Sequence, residues 1–190
     1  MDSRFKTSLQ HISVGSGLVL MAYGLSEAIH PYIHPQALYQ VFGTFKLVYL
    51  PLGVLVLLGW VYGWFAVPVA LPASLLSARL ILGADGFTLT TALLITLKVC
   101  AVPLTFDIFR LCGIDSRGVG QGLNWRVLFL IGLVASVFSN LLRFWLGCCG
   151  TLTADQLLLS YTGAVIGDMV GLVVVMVGAM LFFRALRHRV

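Results

Sequence analysis

The sequence predicts an all-α fold: a polytopic integral membrane helix bundle of about six transmembrane helices, with both termini in the cytoplasm. Of its 190 residues, 59% are hydrophobic and only 10% are charged, whereas soluble domains average about 25% charged residues. One soluble core cannot hide so much apolar surface, so the bilayer is the expected solvent. The apolar residues also fall into long runs, and the basic residues gather beside alternate runs.

The same composition excludes several classes of protein. The net charge of +5 is spread thinly along the chain, without the basic stripe that binds nucleic acid. The high apolar content excludes a disordered chain. The expected partners are therefore membrane lipid and another protein in the membrane, and not nucleic acid.

Six apolar segments follow one another, each approaching the roughly 20 residues that cross the hydrocarbon core. Only Tyr62, Gly63 and Trp64 separate the second segment from the third, which predicts a tight helical hairpin. Prolines inside the spans are expected to kink helices and to free carbonyl groups. No internal repeat is visible, so an inverted-repeat transporter is not indicated. Residues 1–190 are expected to form a single transmembrane domain. The predicted spans are 12–29, 47–61, 65–82, 87–109, 127–146 and 157–183.

The distribution of Lys and Arg residues sets the predicted orientation. With a cytoplasmic N-terminus and alternating spans, most of the 12 basic residues fall on the inner side, as the positive-inside rule requires. Lys46, Arg79 and Arg143 fall towards the outer side, and Lys98 lies within a span. Both termini are therefore predicted to be cytoplasmic. The inner basic residues are Arg4, Lys6, Arg110, Arg117, Arg126, Arg184, Arg187 and Arg189.

Two opposite charges lie inside predicted spans. Counted from the outer ends, Lys98 follows Phe87 by as many residues as Asp168 follows Leu157, so both reach a similar depth. Each charge alone is costly in hydrocarbon, about 2.5–3.5 kcal/mol on insertion scales. One expectation is that they pair with each other. The alternative is that Lys98 extends towards the interface while Asp168 is protonated or faces a water-filled outer vestibule.

A second polar group is predicted near the outer leaflet. Glu27, Arg79, Asn140 and Arg143 lie late in the first, third and fifth spans, at one level. Polar side chains from three helices at one level can line the mouth of a site for a small polar ligand. Alternatively, they extend to the interface, as long polar side chains near helix ends do. With Lys98 and Asp168 they are the candidate ligand-binding or structural polar residues.

The last span carries Gly163, Gly167 and Gly171 at a spacing of four. On a helix these glycines form one smooth stripe that a neighbouring backbone can approach closely. The stripe either packs against another helix of the same chain or receives a partner chain. We predict the second possibility because the sequence offers no catalytic set, yet it keeps charged groups inside the membrane and a stripe suited to close helix contact.

No catalytic residue, metal ligand or cofactor is predicted. The sequence contains no Ser/His/Asp set, no paired carboxylates at one depth and no phosphate-binding loop. The four histidines fall at or outside the predicted membrane boundary, and no two of them share a helical face at a spacing of three or four with a carboxylate. The chain is therefore not expected to be an enzyme.

Several motifs occur in a recognisable order. They are Leu-Pro-Leu-Gly at 50–53, Ser-Leu-Leu-Ser at 74–77, Asn-Trp-Arg at 124–126, and a last span with Tyr161 followed by Gly-Asp-Met-Val-Gly at 167–171. Over about residues 45 to 183 this order resembles the first type of bacterial membrane-associated sensor domain, the MASE family. That family typically has about eight spans, and a double proline and a tryptophan where this chain has Tyr49-Leu50-Pro51.

The resemblance implies a sensory module in the bacterial inner membrane, of the kind usually fused to diguanylate cyclases or histidine kinases. No output domain follows the last span here, so the signal is expected to pass to a separate partner chain. An accessory subunit of a larger membrane complex is the other form of this prediction. The alternative is the solute-binding subunit of an energy-coupling-factor type transporter, which has a similar size, helix count and hairpin.

Overall fold

The computed structural model of the chain describes residues 2–33, 46–114, 124–147 and 154–187. Within these ranges all regular secondary structure is helical, which confirms the all-α prediction. A single turn of 3₁₀-helix, Gly63–Phe65, joins the second helix to the third. The α-helices of the described ranges are α1 (Asp2–Ile33), α2 (Leu50–Tyr62), α3 (Ala66–Gly86), α4 (Leu89–Leu111), α5 (Trp125–Gly147) and α6 (Ala154–Arg187).

Five helical segments of the described chain are long and apolar enough to cross a membrane. Large apolar side chains such as Leu80 and Trp145 lie on the outside of the bundle with about 70% of their surface exposed. Such a surface suits lipid and not water. The chain therefore has the character of an integral membrane protein. The five segments are Gln10–Tyr32, Leu50–Gly83, Leu89–Leu111, Trp125–Leu146 and Asp155–Phe182.

The segment Leu50–Gly83 folds back on itself, as the sequence predicts. A Cβ atom added to Gly15 of α1 would meet both Leu58 of α2 and Val69 of α3. These two residues would be about 16 Å apart in one continuous helix, so the chain must reverse between them. Gly63 makes the reversal possible because its φ of 57° lies in the left-handed region that glycine adopts without strain.

The second predicted span, 47–61, is wrong in one respect. Its helix begins only at Leu50 and has 13 residues, about 20 Å, whereas the hydrocarbon core is about 30 Å thick. Pro51 in the first turn explains this start, because proline suits the beginning of a helix and has no N–H to continue one. The Tyr49 N–H donates instead to the Gly167 carbonyl at 3.0 Å, near the middle of Asp155–Phe182. Helix α2 thus begins inside the bundle and crosses about half of it.

This short apolar helix forms the centre of the bundle. Helix α2 contacts each of the five other helices of the described chain. Its Leu52 and Val56 are fully buried, together with Val102 of α4, Ile131 of α5 and Leu172 of α6. A helix that is apolar on every face belongs in such a position. The non-helical residues 46–49 in front of it are half-buried, and their backbone packs against α6.

Candidate functional site

The structure brings Lys98 and Asp168 together, as their equal depth predicts. Helix α4 supplies Lys98 and helix α6 supplies Asp168. The Lys98 Nζ lies 3.2 Å from Oδ1 and 3.3 Å from Oδ2 of Asp168, so the ammonium spans both carboxylate oxygens. Both residues lie near the middle of segments long enough to cross a membrane. Pairing offsets the free-energy cost that each charge alone would have in the hydrocarbon core.

Helix α5 completes the surroundings of the Asp168 carboxylate. Ser136 Oγ donates to Oδ2 at 2.7 Å, and Asn140 Nδ2 donates to the same oxygen at 2.8 Å. Asn140 also donates to Ser136 Oγ at 3.2 Å, because residues four apart share a face of a helix. With three donors, the carboxylate is satisfied although it is only 3% exposed. Asn140, predicted at an outer mouth, therefore belongs to this buried cluster.

The other side of Lys98 faces aromatic rings. Its Nζ lies 4.1 Å from the centre of the Tyr49 ring, a cation–π contact. The Tyr49 hydroxyl donates to the Tyr23 hydroxyl at 3.0 Å, and the two rings meet edge to face. Tyr49 belongs to the non-helical segment 46–49, so the start of α2 is tied to the ion pair. The Lys98 side chain is 19% exposed and that of Asp168 4%, so Lys98 is the more accessible residue of the pair.

The glycine stripe of α6 packs against the chain itself. A Cβ atom at Gly167 would collide with the carbonyl oxygen of Lys46, and one at Gly171 with that of Tyr49. Gly163 is buried as well. The stripe therefore accommodates the backbone of residues 46–50, which is the packing alternative. A partner chain therefore cannot dock directly on Gly167 and Gly171, because the backbone of residues 46–50 already covers them; a partner elsewhere on the chain stays a prediction.

The four polar residues predicted near the outer leaflet do not share one site in the structure. Glu27 forms an ion pair with Lys46, and the neighbouring Ser26 Oγ accepts the Leu50 N–H at 3.0 Å. Arg79 and Arg143 are both exposed, but only Arg143 lines the cavity described next. Glu27, Arg79, Asn140 and Arg143 therefore do not form a single mouth. Of these four residues, only Asn140 and Arg143 line the cavity.

A cavity of about 560 Å³ extends from the ion pair towards the end of the bundle at which α3 ends and α4 begins. We call this end the upper end. The volume falls within the range of small-molecule sites, about 300–1,000 Å³. Aliphatic side chains of α2, α3 and α4 form much of the wall. The charged side chains in the lining are Lys46, Lys98, Arg143 and Asp168.

Metal binding finds no support in the described ranges, where no three His, Cys, Asp or Glu side chains are grouped to hold an ion. His34, His188, Cys148 and Cys149 lie outside the described residues. The polar groups at the cavity are the Lys98–Asp168 ion pair, the Asn140 amide and the side chains of Lys46 and Arg143.

Fold and site together define a polytopic helical membrane protein with a buried ion pair at the inner end of a cavity between its helices. No known protein family, no curated protein and no solved structure matches the chain.

Proposed function

We propose that the chain is a non-enzymatic, sensor-like membrane module that binds a small ligand in this cavity and acts through a separate partner chain. The observation that carries the proposal is the contact between the cavity and the ion pair that joins α4 to α6. A cavity with an apolar wall and a few polar groups at its inner end is typical of a ligand site. Membrane-embedded charges commonly mark functional sites.

The ion pair offers a route from ligand to helix movement. Asp168 lies on α6, which continues to Arg187 and carries Arg184 and Arg187 in its last turn. A ligand that engages Lys98 changes the balance of the Lys98–Asp168 contact, which is the side-chain link between α4 and α6. Such a ligand shifts the bundle between two packings by as much as its affinity differs between them.

The proposal includes an orientation. The positive-inside rule favours cytoplasmic termini, which directs the upper end of the bundle and its cavity to the outside of the bacterial inner membrane. The end of α6 then lies at the cytoplasmic surface, where a signalling partner would contact it. An accessory subunit of a larger membrane complex would use the same geometry without a signalling output.

Copurification from native membranes tests the proposed function. After gentle extraction, mass spectrometry of the intact assembly should find this chain with a signalling protein at fixed stoichiometry. A stoichiometric complex without a signalling protein would favour the accessory subunit. A chain that always runs alone would contradict both forms of the proposal.

The solute-binding subunit of an energy-coupling-factor type transporter is the second candidate, favoured by the direction in which the cavity opens. A substrate-capturing subunit needs a pocket that reaches the outer face. Such a subunit would copurify with ATPase subunits and a transmembrane coupling protein, so the same mass spectrum separates the two candidates.

A further inference from the structure

We infer that the cavity takes an uncharged amphiphile, with a hydroxyl or amide head group at the Lys98–Asp168 pair and a hydrocarbon body along the wall towards the upper end. The inference rests on the proposed function, because it names the chemical class of the ligand for the same cavity. It follows from the balance of charge at the inner end, from the hydrogen-bonding groups that remain there and from the aliphatic wall.

The cavity lies where two helices of the bundle do not pack on each other. Among the described residues, no part of α4 approaches α6 closely along the backbone, and the Lys98–Asp168 pair spans the gap between them. Helix α2, which packs on both, begins only at Leu50. A ligand can therefore reach the pair from the upper end without separating two packed helices.

Charge is balanced at the inner end of the cavity. Lys98 and Asp168 neutralise each other, and Lys46 forms an ion pair with Glu27. The remaining charged residue of the lining, Arg143, is exposed. A carboxylate placed against Lys98 would lie beside the Asp168 carboxylate, and an ammonium placed against Asp168 would lie beside Lys98. Because like charges in contact are strongly unfavourable, an uncharged head group is favoured.

The inner end retains a donor and an acceptor for such a head group. An ammonium carries three N–H groups, of which two suffice for the two carboxylate oxygens of Asp168. Both N–H groups of the Asn140 amide donate, to Ser136 and to Asp168, so its carbonyl oxygen is the acceptor that it presents. Lys98 and Asn140 both line the cavity. A hydroxyl or a primary amide accepts from Lys98 and donates to Asn140, which avoids the cost of a buried polar group without a partner.

The rest of the wall requires a hydrocarbon body. Ala78 and Ile81 of α3 and Leu94 and Ile95 of α4 line the cavity between Lys98 and the upper end. A head group without a body, such as methanol or acetamide, would leave these side chains against water. Each buried methylene contributes about fourfold in affinity, so the body supplies most of the binding and the head group supplies the selectivity.

The experiment measures binding to the full chain in nanodiscs of zwitterionic lipid at neutral pH, by the shift of its thermal unfolding. The probes are octanol, octanamide, octanoate and octylammonium, which share one body and differ in the head group. Octanol and octanamide should bind at least about tenfold more tightly than the two charged probes, because a charged head group meets a like charge at the pair. Methanol and acetamide should give no shift at the same concentrations.

Two variants separate binding in the cavity from probe dissolved in the lipid. Ile95→Trp fills the cavity, so it should abolish the shift that octanol causes. Leu93→Trp is the matched control on the same helix, since Leu93 is 55% exposed on the outside of the bundle and is not in the lining. It should leave the octanol shift unchanged.

Two further variants test the balance of charge. Asp168→Asn leaves Lys98 without its counter-charge, so the preference should change to octanoate. Lys98→Met leaves the Asp168 carboxylate without its partner, so the preference should change to octylammonium. Should either variant fail to fold, the four probes on the unmodified chain and the two tryptophan variants still decide the question.

Binding of octanoate or octylammonium to the unmodified chain as tight as that of octanol would overturn the inference and leave a ligand-binding module standing. An equal octanol shift in Ile95→Trp and Leu93→Trp would overturn it, and so would the absence of any shift from all four probes. An unchanged preference in a folded Asp168→Asn or Lys98→Met would overturn it as well. The proposed function is judged separately, by the partner that copurifies.

Discussion

Replacing Asp168 with leucine is expected to lower the free energy of unfolding by about 3–5 kcal/mol, the loss that follows when one partner of a buried ion pair is removed. The substitution leaves the Lys98 ammonium without its counter-charge inside the bundle. It also removes the acceptor shared by Ser136 and Asn140, two donors that are fully buried. Unfolding in mixed micelles, followed by tryptophan fluorescence, measures the loss.

A double-mutant cycle shows how much of this loss belongs to the pair. Adding Lys98→Met to Asp168→Leu removes the orphaned ammonium, so the double variant should recover part of the stability. Recovery should be incomplete because Ser136 and Asn140 still lack their acceptor. Lys46→Met with Glu27→Gln is the matched control, since that pair is partly exposed and should give a coupling of less than about 1 kcal/mol. Additive losses at Lys98 and Asp168 would contradict the pairing.

Gly167→Leu is expected to destabilise the chain by about 3 kcal/mol, the upper end for overpacking a well-packed interior. The new side chain would collide with the backbone of Lys46, and backbone cannot rotate away as a side chain can. Moving residues 46–49 aside would also break the hydrogen bond from the Tyr49 N–H to the Gly167 carbonyl. The gain of about 1 kcal/mol in helix propensity over glycine does not offset this.

Gly178 provides the control on the same helix. A Cβ atom there meets nothing within 4 Å, so Gly178→Leu should leave the stability unchanged or raise it slightly. Thermal unfolding of both variants in one detergent compares them directly. If both substitutions had the same effect, the close packing of residues 46–50 on α6 would be disproved.

The ion pair could be predicted from the sequence because depth follows from counting residues along two helices. The length of α2 could not, since residues 47–61 are all suitable for a membrane span by composition. Pro51 was the local signal for a late helix start, but proline is also tolerated within membrane helices. Only the contact with Gly167 and Gly171 shows that the chain in front of α2 is non-helical and packs against α6.

Three residues of the polar cluster around the Lys98–Asp168 pair, namely Ser136, Tyr49 and Tyr23, could not be predicted from the sequence, for physical reasons. Ser136 is an ordinary small residue in an apolar helix, and only its spacing of four from Asn140 pointed to a shared role. Tyr49 and Tyr23 resemble interfacial tyrosines in sequence, because such rings commonly lie at the membrane surface. Their position beside Lys98 depends on the short length of α2. Tertiary packing, and not a local sequence pattern, determines that length.

The central claim is that an aqueous path leads from the upper end of the bundle to the ion pair, and reactivity of a cysteine at Ile95 tests it most directly. Ile95 lines the cavity, whereas Leu93 on the same helix is 55% exposed on the outside of the bundle and is not in the lining. After replacement of the four native cysteines, Ile95→Cys and Leu93→Cys are treated with a membrane-impermeant thiol reagent from outside the cell. Thr153→Cys and Val119→Cys report which side the reagent reaches.

We expect Thr153→Cys and Ile95→Cys to react from outside, and Leu93→Cys and Val119→Cys not to react. Lack of reaction at Ile95→Cys while Thr153→Cys is labelled would contradict an open path to the ion pair. Reaction of Val119→Cys instead of Thr153→Cys would contradict the orientation on which the outward-facing site depends.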